Sequence, residues 1–316
     1  MQYLKYSDIA LVPEFSSCHS RSDCDTSIDF LGRKFKLPIV PANMQSVIDM
    51  DVSKWMSQNG YFYIMHRFGN NLREVVSQMN SEGWDVISVS MGVQMKDKKD
   101  LVAISKSDQR VDYVTIDIAH GHCKRMKIAI EAVKKFLPDT KIIAGNVASP
   151  EAVRDLSEWG ADSIKVGIGQ GSPCTTKDKT GFTMPMFSCV EICSNFYETD
   201  SPIIADGGIV HNGDVAKALA AGASMAMAGG IFAGCADSPA EERTHNNKLH
   251  KAYFGSASPH NKGHENHIEG KLTHISCNGM TYEEKLSEMK QDLQSSISYA
   301  GGEDLSCLKN TKYINV

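Results

Sequence analysis

Residues 141–169, KIIAGNVASPEAVRDLSEWGADSIKVGIG, spell out one strand, one helix and a second strand in order. KIIAGNV (141–147) and DSIKVGIG (162–169) are short runs with continuous rather than alternating apolar character. That pattern belongs to parallel strands covered on both faces. Between them, Ser149-Pro150-Glu151 reads as an N-cap followed by proline in the first turn, a helix start in which the missing proline N–H costs nothing. Working outward, the same beat recurs at 37–42, 61–66, 85–92, 112–119, 201–208 and 225–230. Helical periodicity fills segments such as 123–137 and 212–223, with Asn212 or Gly213 opening the latter. Eight strand–helix units predict a closed (β/α)8 TIM barrel rather than an open sheet.

The pattern breaks after the eighth strand. Residues 233–280 are polar, rich in His, Asn and Gly, and show little periodicity. A loop that long in a compact domain is normally functional, so a flap over about 235–280 is expected. An amphipathic helix follows over 281–300, with Thr281 and Glu284 in capping-box spacing, and KYINV (312–316) is a candidate strand. One domain over 1–316 is the economical reading.

Bulk properties exclude several classes. A net charge of −5 gives no electrostatic footprint for nucleic acid or an anionic membrane. No apolar run approaches the length of a signal peptide or a membrane span, which predicts a soluble cytoplasmic protein. The nine cysteines form no CxxC pair, so mostly reduced, buried thiols are expected, with Cys189 and Cys193 sharing a helix face.

Barrel sites are built at the C-terminal ends of the strands. The residues there are Asn43 and Met44, His66 and Arg67, Asp117, Asn146, Gly167 to Cys174, Asp206 to Gly208, and Gly229 and Gly230. Glycine pairs after the seventh and eighth strands predict a phosphate cradle of backbone N–H groups. Asp206 suits either the two hydroxyls of a ribose or the N-cap of the next helix. Cys174, in a glycine-rich loop, could be a nucleophile, a cation-loop residue or a small core residue. Thr176 needs a stronger partner for proton transfer, and Glu265 and Glu269 are the candidates. His260 and His264 are four residues apart among five histidines of 245–267, without a ligand set matching zinc. His120 and His122 are candidate site-lining residues.

KVGIGQGSPCTTKDKTG (165–181), IADGG (204–208), GDVAKALAAGA (213–223), AGGIFAG (228–234) and YFGSAS (253–258) together resemble the family of IMP dehydrogenases and GMP reductases. PANMQSVID (41–49), GYFYIMHRF (60–68) and QDLQSSISYAGG (291–302) resemble its bacterial reductase branch. The resemblance covers nearly the whole chain and implies a TIM barrel that converts GMP to IMP and ammonia with NADPH. It implies that Cys174 attacks C2 of guanine to form a thioimidate, with Thr176 and Glu269 as the proton relay. It implies ribose binding by Asp206, a phosphate cradle of Gly208, Gly229 and Gly230 with Ser172 and Tyr253, and base contacts from Gly255 and Ala257. For the cofactor it implies Asp117, Ile118, Ala119 and Gly169, with Tyr299, Ala300, Gly301 and Gly302 near a subunit boundary of an oligomer, commonly a tetramer. For a potassium ion it implies the backbone carbonyls of Gly169, Gly171 and Cys174.

Gln170 departs from the proline the resemblance leads one to expect, as does IVHNGD (209–214) from the usual turn. The dehydrogenase branch activates water with an Arg-Tyr pair and commonly carries a CBS regulatory insertion after the second strand. No Arg-Tyr dipeptide occurs here, and about 20 residues separate the second and third strands. A non-catalytic purine-nucleotide sensor is the reading from another class, and the presence of Cys174, Thr176 and Glu269 together opposes it.

Overall fold

The computed structural model describes residues 3–195, 201–245, 248–262 and 266–316. The chain opens with β1 (Ile9–Leu11) and a hairpin of β2 (Ile28–Phe30) and β3 (Arg33–Phe35). It then enters a parallel sheet of β4 (Ile39–Pro41), β5 (Ser88–Met91), β6 (Tyr113–Asp117), β7 (Lys141–Val147), β8 (Ser163–Val166), β9 (Ile203–Asp206) and β10 (Met225–Ala228). The order β4-β10-β9-β8-β7-β6-β5 brings the last of these strands beside the first, which curls the sheet into a TIM-barrel-like (β/α)8 fold. Strands β5, β8 and β10 are buried along their whole length, the outcome expected from runs without alternation.

One beat is irregular. The segment 61–66 joins β5 through a single bridge, Met65 to Val89. Side chains satisfy polar groups that a ladder would otherwise pair. Tyr63 Oη donates to the Val86 carbonyl at 2.6 Å, and Ser90 Oγ donates to the Met65 carbonyl at 2.7 Å. Phe62 anchors the segment by packing at 5.1 Å from the rings of Phe30, Phe35 and Tyr113.

Helix Pro150–Trp159 starts where the sequence places it, with Ser149 Oγ accepting from the Ala152 N–H. Helix Gly213–Ala220 does not use Asn212 as a side-chain cap. Asn212 has helical backbone angles, and its Nδ2 donates to Glu288 and Asp292 on the long helix Tyr282–Tyr299. The turn before the helix is held by buried Asp214, whose Oδ2 accepts from the N–H groups of Val210 (3.0 Å) and His211 (2.9 Å). Thr281 and Glu284 do form the reciprocal capping box. Cys189 and Cys193 are both buried on helix Met186–Asn195.

The described residues of the polar segment 233–280 carry more regular structure than its composition suggests. It carries an antiparallel sheet of β11 (Glu242–His245), β12 (Lys248–Phe254) and β13 (Leu272–Ser276). The hydrophobic pattern of β12 is disguised because one inward residue is Lys251, only 1% exposed. Its ammonium is satisfied by the carbonyls of Ala236 and Ser238 and by Glu242 at 3.0 Å, as burial of a charge requires. The tail forms β14 (Tyr313–Asn315), paired antiparallel with β1. Among the described residues no helix is long and apolar enough to cross a membrane.

Asp214→Ala removes two hydrogen bonds to a carboxylate that is almost wholly buried. It is expected to cost about 1–3 kcal/mol, read as a lowered urea midpoint with an unchanged slope.

Candidate active site

The strand ends open onto a cleft of ≈ 980 Å³, the size of a site for a substantial organic ligand. Its floor is made by charged residues on β6, β8 and β9, with Asn146 on the intervening β7. Lys165 on β8 is 3% exposed, and its Nζ lies 2.8 Å from Asp117 Oδ1 on β6 and 2.7 Å from Asp206 Oδ2 on β9. Burial opposes the charge on Lys165, but the two carboxylates outweigh it and hold the ammonium protonated above its usual range. Burial also opposes ionisation of Asp117. Lys165, Arg67 and a hydrogen bond from Asn43 Nδ2 (3.1 Å) outweigh this and keep the carboxyl below the usual range. The resulting stability is present above the ordinary carboxylate pKa and is lost as pH falls through the lowered value.

Asn146 Nδ2 donates to Asp206 Oδ2 at 2.8 Å and to the Gly167 carbonyl at 2.7 Å. Asp206 thus belongs to the cleft floor and does not cap the following helix, so the N-cap reading of it fails. Asn146 Oδ1 and Arg67 Nε are buried without a protein partner, and both residues line the cleft. Arg67 also lies with its guanidinium 4.4 Å from the Phe68 ring centroid. Its neighbour His66 turns away from charge chemistry, since burial pushes the imidazole down to about 4.

The loop after β8 must start with glycine. Gly167 has φ +140°, and a Cβ there would overlap the Asp206 carbonyl. The loop ends at Cys174, whose N–H donates to the Gly171 carbonyl at 2.9 Å. The Cys174 thiol donates to Thr176 Oγ1 at 3.2 Å, and Thr176 Oγ1 donates to Glu269 Oε2 at 2.8 Å. Glu269 comes from the polar excursion, 93 residues further along the chain. Backbone pairing delivers it. Cys174 and Gly270 form an antiparallel bridge, Thr175 N–H donates to the Glu269 carbonyl, and Lys271 N–H donates to the Pro173 carbonyl, both at 2.9 Å.

Opposite, the Tyr253 ring on β12 lies over Gly229 and Gly230, and a Cβ on Gly229 would overlap its hydroxyl. Burial pushes the Tyr253 phenol up, so it stays protonated as a donor. Ser172, Gly169, Gly171, Gly208, Gly255, Ala257, Ile118 and Ala119 also line the cleft.

Several candidates lie elsewhere. Tyr299, Ala300, Gly301 and Gly302 follow the end of the long helix against the N-terminal segment, away from the cleft lining. There the Tyr299 carbonyl accepts from Glu14 N–H, its ring carries Arg21 at 5.0 Å, and Gly301 abuts the Phe15 carbonyl. His122 pairs with Asp155 at 2.8 Å, and neither it nor His120 reaches the cleft. Glu265 and His264 lie outside the described residues. Among the described residues no group of histidines, cysteines and carboxylates could hold a metal. Lys165 was missed as a site residue, although a lysine inside the apolar run SIKV is itself a signal, because such a charge is seldom buried unless paired.

Residues 3–316 match the family model described as the IMP dehydrogenase / GMP reductase domain. The chain is 46% identical over 312 residues to GMP reductase of Bacillus subtilis, covering 98% of this chain and 95% of that protein. It is 44% identical to GMP reductase of Staphylococcus carnosus over 317 residues and to that of Helicobacter pylori over 317 residues, each covering 100% of this chain and 97% of the relative. A family match over nearly the whole chain and relatives at 44–46% identity over nearly their full length show that the chain belongs to the IMP dehydrogenase / GMP reductase family.

Proposed function

We propose that this chain is a GMP reductase, an oxidoreductase that converts GMP to IMP and ammonia at the expense of NADPH. The observation that carries the reading is the continuous line Cys174–Thr176–Glu269 on the wall of a nucleotide-sized cleft. A thiol must lose its proton to become a nucleophile, and an amino group must gain one to leave as ammonia. Both needs are met by one wire. Thr176 passes the Cys174 proton to Glu269, the thiolate attacks C2 of the guanine, and Glu269 returns a proton through Thr176 to the departing amine. Covalent attachment thereby splits one difficult displacement into two steps.

The remaining roles follow position in the cleft. Asp206, whose Oδ2 is committed to Lys165 and Asn146, offers Oδ1 to the ribose hydroxyls. Gly208, Gly229 and Gly230 present backbone to the phosphate, with the hydroxyls of Ser172 and Tyr253 beside them, and Gly255 and Ala257 border the base. The nicotinamide cofactor would sit beside Asn146 and Arg67, where Asn146 Oδ1 and Arg67 Nε are buried polar atoms without protein partners. Asp117, Ile118, Ala119 and Gly169 would hold it; when bound it would supply the hydride for C2, and Cys174 leaves as the thiolate when its bond to C2 breaks, freeing IMP. NADPH is the form proposed. The carbonyls of Gly169, Gly171 and Cys174 are hard oxygen donors suited to potassium, which would steady the loop electrostatically; the Gly171 carbonyl retains a lone pair after accepting from Cys174. Tyr299 to Gly302 then serve cofactor binding at a boundary between copies in a cytoplasmic homotetramer. The chain works as one catalytic domain over 1–316, with 235–280 as the flap and no inserted CBS module.

NADPH oxidation by the purified protein is expected only with GMP present and with ammonia released; Cys174→Ala should lower it on the order of 10³-fold or more. Persistence of turnover in that variant would remove the covalent mechanism. Thr176→Ala and Glu269→Gln should each slow GMP deamination by about 10²–10⁴-fold while sparing hydride exchange between IMP and NADP. Equal loss of both reactions would overturn the relay. Lys165→Met should cost about 3–5 kcal/mol in denaturant unfolding, because two largely but not fully buried carboxylates lose their counter-ion.

A further inference from the structure

Gln170 sits in the middle of the nucleophile loop, between Gly169 and Gly171, and its side chain is used. Three glycines in the stretch 167–171 make this loop costly to order. Its ends are secured. Asn146 Nδ2 holds the Gly167 carbonyl at 2.7 Å, and the Gly171 carbonyl holds the Cys174 N–H at 2.9 Å. The middle is secured by side chains alone. Gln170 Nε2 donates to Thr183 Oγ1 at 2.6 Å, and Thr183 Oγ1 donates to the Ile168 carbonyl at 3.0 Å. A threonine hydroxyl has one proton to give. With that proton on Ile168, Thr183 must accept from Gln170, which fixes the direction of the whole chain of bonds.

Two further contacts show how closely the brace is built. Gly169 has φ +77°, and a Cβ on it would lie 2.8 Å from Thr183 Oγ1, so Thr183 occupies the space a side chain there would need. On the other flank, the Gln170 Cβ lies 3.4 Å from where a Cβ on Gly207 would be, in the turn that follows Asp206. Gln170 therefore bridges, at the half-exposed rim of the cleft, the segment leaving helix Thr176–Thr180 and the turn leaving β9.

We propose that Gln170 and Thr183 are a positioning pair for Cys174, bracing the glycine loop so that the thiol stays aligned on Thr176. The pair acts through backbone at Ile168 and does not itself carry protons for the reaction. The proposal rests on Cys174 being the nucleophile.

The test uses full-length Thr183→Val, Thr183→Ser, Gln170→Leu and the double variant Gln170→Leu/Thr183→Val. Two readouts are taken: steady-state kinetics with GMP and NADPH, and the rate at which iodoacetamide alkylates Cys174 in the ligand-free protein, followed by mass spectrometry. Thr183→Val and Gln170→Leu should each lower kcat about threefold to tenfold, with the KM for GMP held within about twofold, the weight of one lost hydrogen bond. Alkylation of Cys174 should slow about threefold in both, because the thiol loses its alignment on the proton acceptor. Thr183→Ser keeps the hydroxyl and should match the parent, and the double variant should be no worse than the poorer single, since both bonds belong to one chain. Wild-type kcat and alkylation in both singles, multiplicative losses in the double, or Thr183→Ser as impaired as Thr183→Val would each overturn the brace. If the parent itself fails to oxidise NADPH with GMP, the proposed activity falls, while the alkylation comparison still decides the brace.

Discussion

A single ammonium organises the mouth of this barrel. Lys165 has almost no access to water, and two carboxylates from strands on either side converge on it. A buried charge is tolerable only when paired and hydrogen-bonded, so the positions of Asp117 and Asp206 are tied to Lys165 and to one another. Asn43 and Asn146 take up further carboxylate oxygen capacity. In consequence the two acids proposed to face different ligands, one at the nicotinamide and one at the ribose, share one rigid support. Where two ligands must meet within bonding distance, that arrangement avoids reorganisation at the moment of reaction.

The second organising feature is backbone rather than charge. The strand that carries Glu269 is stitched to the Cys174 loop by main-chain hydrogen bonds on both sides of Gly270. Main-chain pairing fixes register, and register decides which side chain reaches Thr176. Moving the pairing by one residue would turn Glu269 away, because successive side chains in extended backbone point to opposite faces. The same excursion brings Tyr253 over Gly229 and Gly230, so one segment supplies both Glu269 and Tyr253 to the cleft.

Local signals in the sequence were sufficient wherever one element carries its own cause. Ser149-Pro150 starts a helix, Thr281 and Glu284 cap one, and continuous apolar runs with glycine at their ends mark parallel strands with site loops. Signals failed where the cause lay far off in the chain. The strands β11–β13 escaped notice because buried Lys251 breaks the apolar alternation, and its satisfying carbonyls come from Ala236 and Ser238. Asn212 looked like a cap, yet the long helix packed nearby takes its amide, and Asp214 holds the turn instead. Gln170 has no partner within its own loop; its amide is taken by Thr183, 13 residues further along.

By itself, then, the sequence determined the barrel, the residues at its strand ends and, through kinship, the chemistry to expect of Cys174, Thr176 and Glu269. These depend on periodicity, glycine placement and motif, all of which are local. Tertiary structure alone decided that Asp206 joins Lys165 rather than capping a helix, that Gln170 meets Thr183, and that Tyr299 to Gly302 stand apart from the cleft of their own chain. Each of those is a pairing between distant segments, chosen by what burial leaves unsatisfied, and no local pattern encodes it.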